Sequence, residues 1–160
     1  MNSTAKAYRS GLERSNAFIE TFTKGMEGDD WLQRPAGFPN PAIWILGHLA
    51  HSRAGFLEML TGTKSHEEGW EDLFEMGVDS QDPSVYPSVD TCRAVLDARL
   101  QDLKAYLETA TEVDLEAPAC VGSGFFKSKG AVISFLTHHE AHHTGALSMI
   151  RRALGKDRLV

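Results

Sequence analysis

SKGAVISFLTHHEAHHTGALSMIRRAL, residues 128–154, reads as one long amphipathic helix with four histidines at its centre. An α-helix advances about 100° per residue, so residues three and four apart share a face. With His139 set at zero, Val132, Leu136, Ala146, Leu147, Ile150 and Leu154 fall between about −20° and +80°. His139 and His143, at about 0° and 40°, lie within that apolar stripe, whereas His138 and His142, near −100° and −60°, lie towards its edge. Arg151 and Arg152 complement the dipole of the last turn, and Gly155 stands where a C-cap is wanted.

Three further segments carry the same period. Ala5, Tyr8, Leu12, Ser15, Ile19, Phe22 and Met26 recur in steps of three and four, as one helix face requires. RPAGFPNP (34–41) then breaks the chain, and Asn40-Pro41 reads as a cap followed by a first helical position. The second helix runs through AIWILGHLAHSRAGFLEML and stops near Thr61-Gly62. A long polar connection with Gly69, Gly77, Pro83 and Pro87 leads to a third helix that starts near Ser88-Val89-Asp90. Its stripe is Cys92, Leu96, Leu100, Leu103, Leu107 and Ala110; Pro118 and a Gly-Ser-Gly turn (122–124) separate it from the last helix. No segment reads as a strand, because Ser84-Val85-Tyr86 is too short and too close to prolines. The expected fold is all-α, an antiparallel-type four-helix bundle, in a single domain over residues 1–160.

Six of the seven histidines lie in two helical segments, GHLAH (47–51) and HHEAHH (138–143). On the second helix His48 shares the inward face with Trp44, Ile45, Phe56 and Met59, and His51 lies about 60° away. Imidazoles buried together are costly when unpaired, and a shared metal ion relieves that cost. Metal sites built from facing helices recur in bundle cores, so His48, His139 and His143 are the candidate metal ligands. Imidazole suits zinc, nickel, copper or iron, and ligand type alone does not choose among them. Ser52, Gly55 and Ala146 are small residues beside these positions, suited equally to a cavity and to close helix packing. No catalytic side chain is assigned.

His139-Glu140-Ala141-His142-His143 also fits H-E-x-x-H, the helix motif of zinc metalloproteases. That reading needs a third ligand, usually downstream, and a sheet edge for extended peptide. After His143 only Asp157 offers a ligand, and no sheet is expected. Glu140 is therefore expected as a solvated or helix-edge carboxylate.

Sixteen basic and 22 acidic residues give a net charge of −6, with no basic run to track a phosphate backbone, so nucleic acid is not an expected partner. No stretch has the length and apolarity of a membrane span or signal peptide, and cytoplasm is the expected compartment. Cys92 and Cys120 are far apart and outside any paired-cysteine motif. Ile43, Leu46 and Leu57 make the back of the second helix apolar as well; such a helix is either deeply buried or part of a second interface, and a homodimer is expected.

RPAGFPNPAIWILGHLAH (34–51) and HHEAHHTGALSMIRRALG (138–155) resemble the DinB/YfiT-like family of small metal-binding four-helix bundles, and YPSVD (86–90) extends the similarity along the chain. Carried over by motif, that family's three ligands fall on His48, His139 and His143. Ala146 departs from the pattern, standing where the family often has glutamine. The resemblance implies a divalent metal, nickel or zinc, and a low-molecular-weight thiol as co-substrate. It points to thiol S-transfer or hydrolysis of a small molecule. The alternative is a non-catalytic metal- or small-ligand-binding stress protein, with its ligand positions filled or occluded and no accessible cavity. A glutathione-like thiol carries carboxylates, so the transferase reading calls for a basic patch at the cavity mouth, to which Arg34 and Arg53 are candidate contributors.

Overall fold

The computed structural model describes residues 2–78, 82–122 and 124–158, and among these there are four long α-helices, two short ones and three 3-10 turns. Ser123 of the expected Gly-Ser-Gly turn and residues 79–81 of the long connection lie outside the described residues. Helix α1 (Ser3–Thr23) is capped by the Asn2 side chain, which accepts from the Ala5 amide, and buries Leu12, Ile19 and Phe22. Met26, beyond its end, is buried too. Helix α2 (Ala42–Thr61) starts one residue later than its proline suggests, with Pro41 as the cap, and ends on Gly62 in the left-handed conformation at φ 78°. The long connection contains an unforeseen turn of helix, α3 (Glu71–Phe74).

Helix α4 (Val89–Thr109) opens where expected, on Ser88, whose side chain accepts from Thr91. A short α5 (Glu112–Glu116) follows, opened by a Thr111–Asp114 capping box. Helix α6 (Lys129–Ala153) completes the bundle, capped by Ser128. Among the described residues there is no strand, and no helix is long and apolar enough to cross a membrane. Both cysteines are free; burial pushes the Cys92 thiol up to about 12, so it behaves as an inert core residue.

Contacts between side chains fix the helix directions. Arg9 meets Glu108, Lys104 meets Glu13 and Arg93 meets Glu20, so α1 and α4 are antiparallel. Trp44 packs near His143 and Phe56 near Phe135, so α2 and α6 are antiparallel as well. Tyr8 lies beside Gly130, while Arg151 donates to the carbonyl of Phe22, so α1 and α6 run parallel. One apolar cluster joins Ala42–Ala50 to Cys92 and Leu96, the other joins Leu57 and Leu60 to Leu100–Leu107, so α2 and α4 also run parallel. The bundle is thus up-down-down-up, with two parallel neighbour pairs where an antiparallel type was expected. The reason is the connection over 62–88. A 20-residue helix spans about 30 Å, and this segment is long enough to return that distance and start α4 in the direction of α2.

Helix α2 is buried on nearly every side. Ile43 and Leu46 sit in the first apolar cluster and Leu57 in the second, covered by this chain itself. The back of α2 therefore offers no free surface for a second copy, and the expected homodimer takes no support from it. The closest approach is at Gly47: a Cβ there would lie 2.2 Å from the Phe74 ring, which is fully buried. Gly47→Ala should cost about 1–3 kcal/mol by overpacking, measurable as a lower urea midpoint at unchanged slope.

Candidate metal centre

His48 is held on three sides. Its ring stacks on Trp44, one turn earlier, with centroids 4.6 Å apart and planes 9° from parallel. Its Nδ1–H donates to the Phe74 carbonyl at 2.6 Å. A carbonyl can only accept, so the proton belongs on Nδ1 and the Nε2 lone pair points away from α3. That lone pair faces Nε2 of His139 at 3.0 Å, and the His143 ring lies 4.7 Å from His48 and 4.5 Å from His139 between centroids. One ring nitrogen from each of the three lies within 4.8 Å of the others, an arrangement that could hold a metal ion. Nδ1 of His139 is buried without a protein partner, so whatever its Nε2 faces sets its tautomer. Such a set of neutral imidazole donors suits a divalent transition metal.

Burial is the main cause of the low proton affinity of this cluster, with repulsion from neighbouring histidines adding to it. His139 is pushed down to about 4 and His143 to about 3, and His48 is lowered too, its bond to Phe74 partly opposing the effect. All three are unprotonated at neutral pH, as metal ligation requires.

His138 and His142 are exposed, as their helical phase requires, and His139 and His143 are half-buried. The phase of α6 nevertheless differs from the apolar reading. Glu140, Thr144 and Arg151 are buried, and they shift the buried arc to between about 20° and 140° on the scale that puts His139 at zero. The two histidines lie at the rim of the core rather than in its middle, and the rim opens on a cavity of about 860 Å³. Ser52 and Gly55 line it, whereas Ala146 packs against the first apolar cluster. Its remaining wall is largely apolar, with Trp44, Phe56, Met59 and Phe135.

Glu140 is the largest departure from expectation. It is fully buried, as is Arg53, and Arg53 Nε donates to Glu140 Oε1 at 2.6 Å. Arg53 Nη1 also donates to Asn16 Oδ1 at 3.0 Å and to the Leu96 carbonyl at 2.9 Å. The carboxylate of the apparent H-E-x-x-H motif is therefore engaged inside the bundle rather than beside the histidines, which removes the protease reading. Nor does Arg53 line the cavity mouth. The Arg34 guanidinium bonds the Pro39 carbonyl, and among the described residues the cavity wall carries Glu58 and Glu75 but neither lysine nor arginine. The basic patch expected for an acidic thiol is absent from that wall.

Helical phase sets His51 aside from the inward face of α2, and nothing in the sequence singles out His66. His51 is buried, with Nε2 3.2 Å from Glu75, and His66 reaches across from the long connection. No periodicity signals this pairing, because His66 and Glu75 lie outside the long helices.

Four long helices around a histidine-lined cavity define a helical bundle with a three-histidine cluster that could hold a metal ion. A family model described as the DinB superfamily matches residues 12–147, and the chain belongs to that superfamily. No curated protein matches the chain.

Arg53→Met should cost about 3–5 kcal/mol, because it strands the buried Glu140 carboxylate, whereas Arg53→Met/Glu140→Leu should recover most of that loss in urea denaturation. A second expectation concerns pH. Unfolded histidines titrate near 6.5, above the folded values of about 4 and 3, so between these limits the unfolded chain binds more protons. The stability of chelator-treated protein is fully present above about 6.5 and falls as pH drops towards 4. That fall should be shallower in His139→Phe/His143→Phe; equal slopes in both proteins would remove these imidazoles from the explanation.

Proposed function

We propose that the protein is a metal-dependent enzyme that holds a divalent ion, nickel or zinc, on His48, His139 and His143. It acts on a small molecule by thiol S-transfer or hydrolysis. The observation that carries this reading is that the three ring nitrogens converge at the rim of the core, against an open cavity. A non-catalytic binder was expected to have its ligand positions filled or occluded and no accessible cavity, so the open cavity favours turnover. When bound, such an ion lowers the pKa of a coordinated thiol or water, towards about 7 for water on zinc, and so supplies a nucleophile near neutral pH.

The chain's own groups do the rest. Phe74 and Trp44 fix the His48 ring, so its donor atom keeps one direction. Trp44, Phe56 and Phe135 receive the apolar part of a substrate and exclude water from it. Ser52 Oγ, 3.4 Å from His48 Nε2, is placed to hydrogen-bond a group arriving at the cluster. Glu58 and Glu75 repel anions, so a thiol without net negative charge fits this cavity better than a glutathione-like one.

Purified protein is expected to carry tightly held divalent metal that His48→Ala loses, measured by elemental analysis. With chlorodinitrobenzene as electrophile, cysteamine should outperform glutathione, and chelation should abolish the turnover. Turnover that survives complete metal removal would exclude the proposed role of the ion.

A further inference from the structure

A second pair of histidines lines the same cavity and shares no residue with the first cluster. His51, on α2, and His66, in the long connection, bring their Nδ1 atoms to 3.4 Å, with ring centroids 4.8 Å apart. Each ring is held from behind by a carboxylate: Nε2 of His51 lies 3.2 Å from Glu75 Oε2, and Nε2 of His66 lies 3.2 Å from Glu58 Oε2. A carboxylate accepts, so both Nε2 atoms carry the proton. In the tautomer with that proton on Nε2, each Nδ1 presents a bare lone pair, and the two face each other. Burial lowers the proton affinity of His66, with His51 adding to the effect.

Two converging lone pairs need a positive centre between them. For a proton, 3.4 Å is long, since N–H donors sit about 2.7–3.2 Å from their acceptors. For an ion with metal–nitrogen bonds of about 2.0–2.1 Å, tetrahedral geometry puts adjacent nitrogens about 3.3–3.4 Å apart. Carboxylates behind metal-binding histidines are the usual device for fixing the tautomer and raising donor strength. The two glutamates also match the charge of a divalent ion on a wall that carries neither lysine nor arginine among the described residues. Gly55 seats the His66 ring: a Cβ at that position would already lie 3.4 Å from Cε1, so a larger side chain would displace it.

We propose that His51 and His66 form a second divalent-metal site, backed by Glu75 and Glu58, whose remaining coordination positions open into the cavity. Imidazole donors favour zinc, nickel or copper over magnesium or calcium. The site does not depend on the three-histidine reading.

Chelator-treated full-length protein titrated with zinc tests both. Wild type should bind two equivalents, His66→Ala one and His139→Ala one. Glu58→Gln should keep both but weaken one about 10–100-fold, the usual effect of losing a carboxylate behind a ligand. His66 lies outside the helices, and far-UV circular dichroism matching wild type establishes that His66→Ala is folded. If His66→Ala retains the full zinc stoichiometry and affinities of wild type, the second site is overturned. If His139→Ala still binds two equivalents while His66→Ala binds one fewer than wild type, the second site stands and the three-histidine reading fails.

Discussion

The buried guanidinium of Arg53 is the interaction on which the arrangement of the other helices depends. Carried by α2, it bonds Glu140 on α6, Asn16 on α1 and a carbonyl of α4, so one side chain ties all four long helices together at mid-height. Apolar clusters lie above and below it, and apolar packing tolerates sliding better than directed bonds do. A fully buried guanidinium without acceptors is prohibitively costly. Only one axial register brings three acceptors from three helices to the same point. Glu140 adjoins His139, so fixing its phase against α2 also turns the His139–His143 edge of α6 towards His48.

Charge thus governs the scaffold while uncharged donors govern the site. The ion pair sits where water is excluded, and the three imidazoles sit one step outward, where the core gives way to a cavity. That step suits neutral histidine: burial is deep enough to keep the rings unprotonated at neutral pH and shallow enough to leave them reachable. The stacking of Trp44 and the Phe74 carbonyl supply the orientation that burial alone does not.

Much of this was legible in the sequence. Helical period located the long helices, and phase separated His139 and His143 from His138 and His142. Phase was less reliable for centring the core, because the apolar stripe leaves out Glu140, Thr144 and Arg151, polar residues that are buried. A buried ion pair violates that count, and neither Arg53 nor Glu140 advertises a partner 87 residues away. The parallel course of α4 beside α2 was hidden as well, since periodicity carries no direction. The second histidine pair escaped because one member lies on a helix and the other in irregular chain.

The segment between α2 and α4 has a standing of its own. It delivers the Phe74 carbonyl to His48, and it supplies His66, Glu75 and Met76 to the cavity wall. The long helices therefore provide the three clustered imidazoles and most of the cavity wall, and a piece of chain outside the bundle's register completes that wall. Irregular connections accept insertions and exchanges that a four-helix core rejects. A scaffold divided in this way can acquire new selectivity by revising one loop, leaving the three clustered histidines and the ion pair beneath them untouched.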